Sequence, residues 1–282
     1  MSIEKQNLKS SWDLAVECLL DELLENNSES YKKLSEKQAF YNISTTWFKR
    51  VKAHYFENHR MYHTWQHVEQ VLIALDTIWQ NEAKIIPSRK DRAAATLAAF
   101  FHDAIYNPEA TFSINEKKSA ELFQQFVAEL LIIVNKDQVD CCANSIIVRD
   151  VVDCILATIN HLESGLKARK SNNVVVKVFL DADLSILGQS SKEYDLYAFH
   201  IREEYKNIEK THYCSVRANI LKGFLHLIRS EDWGNEKKEQ DKALYLTDFG
   251  QLVWEKRAQS NLIREIDFLK RNHILGEDQL IK

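Results

Sequence analysis

The sequence predicts an all-α protein, and three observations carry that expectation. Only 6 Gly and 2 Pro occur in 282 residues, far below the usual shares of roughly 7% and 5%, so the residues that tight turns and hairpins need are scarce. Apolar residues recur at intervals of three and four through most of the chain, the period of a helix with one buried face. Two segments open on the Ser-x-x-Glu spacing of a capping box, Ser113 with Glu116 and Ser190 with Glu193, each pair satisfying otherwise orphan backbone amides.

Taken in order, this periodicity places helices over about 10–27, 30–57, 64–82, 89–104, 114–134, 137–162, 174–188, 191–230 with a break near Thr211, and 247–272. The polar stretches at 163–173 and 230–242 read as exposed loops and not as domain linkers, because helical patterning resumes on both sides. With no fixed-period repeat and no low-complexity tract, residues 1–282 are expected to form one domain.

Composition excludes several function classes. The net charge of -4, with Lys and Arg scattered among Asp and Glu, argues against a nucleic-acid partner. Neither GxxxxGK[ST] nor GxGxxG occurs, so phosphate recognition would fall to side chains or metal. The five cysteines, Cys18, Cys141, Cys142, Cys154 and Cys214, are odd in number, form no CxxC pair and sit mostly in apolar helical patterns; they read as reduced core residues of a cytoplasmic protein. The opening MSIEKQNLKSSWD lacks the apolar run of a signal peptide, and no stretch approaches the roughly 18 residues a membrane span requires. A soluble protein without a membrane partner is expected.

Function is sought where polar residues stand in expected core. The segment from Ala93 to Phe101 is apolar nearly all round, as in a buried helix, and ends in His102-Asp103. An unpaired buried carboxylate costs several kcal/mol, so such a pair needs a cation or a dense hydrogen-bond network; the alternative is a helix-end pair facing water. In RMYHTWQHVEQVLIAL, His63 and His67 lie one helical turn apart, and His67 shares the stripe of Val71, Leu75 and Ile78, pointing it inward. It is either a satisfied core histidine or a metal ligand. In VVVKVFLDADLSILG, Asp181 and Asp183 stand roughly 200° apart on a helix, so only one can share the buried face. Asp183 falls with Val176, Leu180, Leu184 and Leu187, whereas Asp181 falls with Ser185 and Gly188, which assigns Asp183 to a metal and Asp181 to a supporting or exposed role. Two imidazoles and two carboxylates would suit Zn, Mn, Fe, Ni or Co.

Together these segments resemble the H…HD…D signature of the HD superfamily of metal-dependent phosphohydrolases. More closely, RMYHTWQHV, AAFFHDAIYNP, INEKKSAELF, ILATINH, FLDADLSILG, YDLYAFHIREEY, SVRANILKGFL and WEKRAQSNLIREIDFL resemble, in order, a family of bacterial predicted HD phosphohydrolases, from about residue 45 onward. The resemblance implies an HD-type helical bundle with a metal-binding core at about 45–230, extra N- and C-terminal helices, and His67, His102, Asp103 and Asp183 as metal ligands. YHTWQH also resembles the YHNxxH motif of cyclic-nucleotide phosphodiesterases, whose first histidine protonates the leaving group and whose second binds metal. His63 would be the acid and His67 the ligand, with Thr64 replacing the motif's Asn. ADLS at 182–185 matches the phosphodiesterase segment around the last metal-binding aspartate, in agreement with Asp183.

The implied chemistry is hydrolysis of a phosphate ester. One or two divalent ions (Mn, Zn, Fe, Ni, Co or Mg) would lower the pKa of a bound water to about 7, with Asp103 as the bridging catalytic ligand and His63 as general acid. His161 is a candidate second-metal ligand or phosphate donor, against a helix-end surface histidine. Arg202, Tyr205 and Arg217 are candidate anion-binding groups, against surface ion pairs such as Arg202 with Glu204. Asn115 and Glu116 also match the family, but the capping box accounts for Glu116. The expected partner is a small phosphorylated molecule, of which a nucleotide is one class, with selectivity residing in pocket shape. The rival readings are a di-iron oxygenase on the same fold and a non-catalytic nucleotide-binding or regulatory helical protein.

Overall fold

A computed structural model describes residues 8–24, 34–133, 144–229 and 243–277. Its elements are α1 (Leu8–Leu24), α2 (Leu34–His54), α3 (Trp65–Asn81), α4 (Arg89–Phe101), α5 (Ile114–Ile133), α6 (Ile146–Ala157), α7 (His161–Lys170), α8 (Val174–Asp183), α9 (Ser191–Glu204), α10 (Lys210–Arg229), α11 (Asp248–Val253) and α12 (Glu255–Glu277). Single 3₁₀ turns join α6 to α7 (Thr158–Asn160) and follow α8 (Leu184–Gly188), and no strand occurs among the described residues. The all-α expectation holds.

The bundle is organised around α4. Its Ala93, Ala94, Ala95, Ala98 and Ala99 are buried together with Leu97, Phe100 and Phe101, and such small side chains let neighbouring helices approach on every side. α1, α3, α5, α6 and α8 all pack against it. The N-terminal helix is integral to this core: Trp12 is fully buried, packs on Phe48, Phe100, Phe101 and Phe126, and donates its indole N–H to Ser44. The buried Glu22 of α1 accepts from the backbone of Ile146 and Ile147 and from the Ser145 hydroxyl, tying the start of α6 to α1. On the other side α10 pairs with α12, and both ends of the chain join one continuous apolar cluster.

The structure moves several expected boundaries. The stretch 163–173 is largely helix α7, not a loop. Asn160 caps it by accepting from Glu163 N–H, Glu163 pairs with Lys167 one turn on, and Gly165 and Ala168 are buried; capping and i,i+4 pairing suffice for so polar a sequence. The stretch 230–242 lies outside the described residues. The break expected near Thr211 falls at 205–209, where Glu209 accepts from Thr211 and His212 N–H and opens α10. The final helix is divided: Thr247 caps α11 by accepting from Gly250 N–H, and α12 begins at Glu255. The Ser190–Glu193 capping box forms in full. The one expected at Ser113 does not, because Ser113 takes φ 68°, in the left-handed region and not the extended conformation of a cap. Asn115 instead clamps the preceding loop, accepting from Asn107 N–H and donating to Asn107 O.

Two further expectations bear on the class of protein. Cys18, Cys154 and Cys214 are free and buried, and burial pushes their thiols up; Cys141 and Cys142 lie outside the described residues. No helix among those described is long and apolar enough to cross a membrane.

Candidate metal centre

Four helices deliver the polar core residues to one place. α3 supplies His67 from its first turn, buried on the same stripe as Val71, Leu75 and Ile78. α4 ends at Phe101, and His102 and Asp103 follow at once, with His102 N–H still bonded to Ala98 O. α8 ends at Asp183, and His161 opens α7 after the 3₁₀ turn. His67, His102 and Asp183 form a group able to hold a metal ion, their ligand atoms all within 4.8 Å of one another.

The two imidazoles meet Nε2 to Nε2 at 3.1 Å. Asp183 Oδ1 lies 3.2 Å from His67 Nε2 and 3.5 Å from His102 Nε2, while Asp103 Oδ2 lies 3.0 Å from His102 Nε2 and 3.6 Å from His67 Nε2. The other oxygen of Asp183, Oδ2, is 2.9 Å from His161 Nε2. His102 Nδ1 sits 3.1 Å from the Ala99 carbonyl. A carbonyl only accepts, so Nδ1 carries a hydrogen and Nε2 is the nitrogen left to face the cluster, the orientation typical of a metal-bound histidine. The donor set fits a divalent ion: imidazole nitrogens and carboxylate oxygens that converge this closely are what a cation reconciles.

Mutual contact dominates the electrostatics of the cluster. Burial raises the Asp103 and Asp183 carboxyls, but the surrounding histidines outweigh it and hold both well below the usual range. Burial lowers His67, and its hydrogen bond with Asp183 does not fully restore it. For His102, contact with both aspartates more than offsets burial and lifts it well above the ordinary value.

His63 stands beside this cluster in a separate arrangement. Its Nδ1 donates to Glu204 Oε2 at 2.6 Å, and its Nε2 faces Asp103 Oδ2 at 4.0 Å. Burial lowers its pKa, yet Asp103 and Glu204 raise it further, so the net shift is upward. Glu204, buried on α9, also takes the backbone N–H groups of Met61, Tyr62 and His63 on its Oε1 and the Tyr106 hydroxyl on its Oε2. Burial raises this carboxyl too, but His63 and those backbone bonds bring it down to about 2. Arg60, whose side chain is fully buried, donates to the carbonyls of His63, Asp103 and Ala104 and to Glu57. It ties the His63 loop to the Asp103 loop.

Neither Glu204 nor Arg60 was singled out for such a role from the sequence. The phase of α9 held a signal: Tyr194, Tyr197, Ile201 and Glu204 recur at helical spacing, which places a carboxylate on the inner stripe by the same reasoning that selected Asp183. Asp181 is not exposed. It is buried and accepts from Leu246 N–H, Thr247 N–H and the Thr247 hydroxyl, anchoring the chain just before α11. Burial, opposed by these bonds, leaves its carboxyl at about 7.

A cavity of about 680 Å³ opens beside the cluster, and His67 and Asp183 form part of its wall. Tyr62, Gln70, Tyr197, Phe249, Trp254 and Arg257 also line it. The wall needs glycine at 188, where a Cβ would stand 2.4 Å from Trp254 Cβ and 2.8 Å from its Cα. The candidate anion-binding arginines are elsewhere. Arg202 donates to the Tyr205 and Ile208 carbonyls and lies over the Tyr213 ring, so it closes the end of α9 and does not pair with Glu204. Arg217 is committed to Glu265 and Tyr197. Tyr205 shares a hydroxyl hydrogen bond with Tyr106 and so backs the Glu204 end of the site.

No protein-family model matches the chain, and no curated protein matches it either. Among solved structures it is similar to the phosphodiesterase domain of the RhoPDE fusion protein from the choanoflagellate Salpingoeca rosetta, with 13% identity and a TM-score of 0.45 over 99% of this chain and 91% of that one. A likeness this distant says nothing of activity. The chain's own residues define its class: an all-α protein with a His-His-Asp group suited to a metal ion at the edge of a cavity.

Proposed function

We propose that this chain is a metal-dependent phosphohydrolase of the HD type, acting in the cytoplasm on a small phosphorylated molecule such as a nucleotide. The observation that carries the reading is the convergence of His67, His102, Asp103 and Asp183, of which His67 and Asp183 line the cavity, with His63 Nε2 facing Asp103. His67, His102, Asp103 and Asp183 would hold the ion, and His161 would orient Asp183 or hold a second one. When bound, a divalent ion makes water a competent nucleophile near neutral pH and stabilises charge that develops on phosphoryl oxygens.

The chain's own residues supply the rest. Glu204 accepts from His63 Nδ1, which leaves Nε2 as the atom that delivers a proton, and the carboxylate favours the charged imidazole that must do so. General acid catalysis of this kind contributes typically about 10² to 10⁴ in rate. Arg60 holds the His63 and Asp103 loops at a fixed spacing.

The test is metal analysis of the purified protein followed by a phosphate-release screen over nucleotides and phosphodiesters, with Asp103→Ala as control. Stoichiometric Mn, Zn, Fe, Ni or Co together with phosphate release that the variant loses is the expected outcome. Tight iron binding with oxygen consumption and no phosphate release would replace this reading with an oxygenase.

A further inference from the structure

Arg217 does not reach the cavity, yet it is built into a chain of contacts that ends there. Its Nε and Nη2 donate to Glu265 at 2.9 and 3.4 Å, and Tyr194 donates its hydroxyl to the same carboxylate. The Arg217 and Glu265 side chains are 11% and 7% exposed. Arg217 Nη2 also donates to the Tyr197 hydroxyl oxygen at 3.1 Å, and Tyr197 lines the cavity beside His67 and Asp183.

The direction of these bonds fixes what Tyr197 can do. A guanidinium only donates, so the phenol oxygen meets Arg217 through a lone pair and its hydrogen points elsewhere. Among the described residues no acceptor takes that hydrogen. A tyrosine with an ordinary pKa near 10 keeps it at neutral pH. The ring is fixed too: it meets Tyr62 edge to face at 4.6 Å, and Tyr62 in turn packs on His67 at 4.8 Å. Tyr197 thus carries an O–H polarised by a buried cation on the cavity wall it shares with His67 and Asp183, and such chains strengthen each member.

We propose that the Tyr197 hydroxyl is an oxyanion donor of the cavity, hydrogen-bonding a non-bridging oxygen of an anionic group held at the metal centre. Arg217 and Glu265 are positioning residues that orient and polarise it. That the anion is a phosphate rests on the hydrolase reading above.

The experiment uses the full chain loaded with Mn²⁺, with inorganic phosphate as the probe, followed by calorimetry. Tyr197→Phe is expected to weaken phosphate binding about tenfold, the loss of one charge-assisted hydrogen bond, with metal content and circular dichroism unchanged. Arg217→Lys should weaken phosphate binding in the parent chain and have no further effect in the Tyr197→Phe background, since a residue acting through the hydroxyl has nothing left to act on. Equal phosphate affinity in the parent and the Phe variant overturns the proposal, as does a parent that does not bind phosphate at millimolar concentration. An Arg217→Lys effect of equal size in both backgrounds overturns the positioning role. The two readings separate cleanly. Loss of phosphate affinity in a protein that hydrolyses no phosphoester leaves this inference standing without the hydrolase, whereas turnover with unchanged KM in the Phe variant does the reverse.

Discussion

Replacing Glu204 by Gln removes one charge from the site and very little shape. The amide oxygen of Gln can still accept from the Met61, Tyr62 and His63 N–H groups that Glu204 Oε1 now takes, so the measured loss reports the charge together with the acceptor that His63 Nδ1 and the Tyr106 hydroxyl now have in Oε2. Glu204 is 5% exposed, and the fall of its pKa from the ordinary 4.5 to about 2 corresponds to about 3 kcal/mol at about 1.4 kcal/mol per pH unit. Because the folded value lies below the unfolded one, this stabilisation is fully present above about pH 4.5 and is lost as pH falls towards 2. Glu204→Gln should therefore destabilise the metal-free protein by about 2 to 3 kcal/mol at pH 7, with the difference from the parent shrinking between about pH 5 and pH 2. Urea unfolding followed by circular dichroism, in chelator and at a series of pH values, measures both quantities. A variant as stable as the parent at pH 7, or a loss that does not shrink with acid, would refute the argument that His63 and the loop amides hold this carboxylate ionised.

Two other substitutions probe the site from different sides. His63→Ala should slow turnover about 10²- to 10⁴-fold while metal analysis finds the ion retained; release of the metal would mean that His63 is a ligand and not the acid. Arg60→Met keeps much of the buried volume but leaves the His63, Asp103 and Ala104 carbonyls without their donor. At about 1 kcal/mol or more for each unsatisfied buried group, it should cost about 3 kcal/mol in denaturant unfolding and reduce metal affinity, and wild-type stability would show that the Arg60 clamp is dispensable.

The residues that meet at the candidate metal site were legible in the sequence because each obeys a local rule. His67 stands on an apolar stripe, and His102 and Asp103 close a helix buried all round, inferences that need only the neighbours within two turns; Asp183 does meet the histidines, but the premise that only one of the two aspartates is buried did not hold, because Asp181 is buried against the chain before α11. The same local reasoning failed where a polar surface concealed a helix, as at 163–170, where the Asn160 cap and the Glu163–Lys167 pair outweigh composition. It failed at Ser113 as well, because the loop pinned by Asn115 forces a backbone conformation that the Ser-x-x-Glu spacing does not foresee.

The sequence by itself determined that the chain is helical, where most helices begin and end, and that His67 and His102 face inward, since these follow from residue periodicity and capping chemistry. Only the tertiary structure decided which of those groups meet. Glu204 reaches His63 across 141 positions of chain, Arg60 joins two loops 43 positions apart, and Arg217 turns away from the cavity to brace Tyr197. Such meetings depend on how α3, α8 and α9 lie around the alanine-rich α4. Helix crossing is set by side-chain packing between distant segments, which no local window of sequence contains.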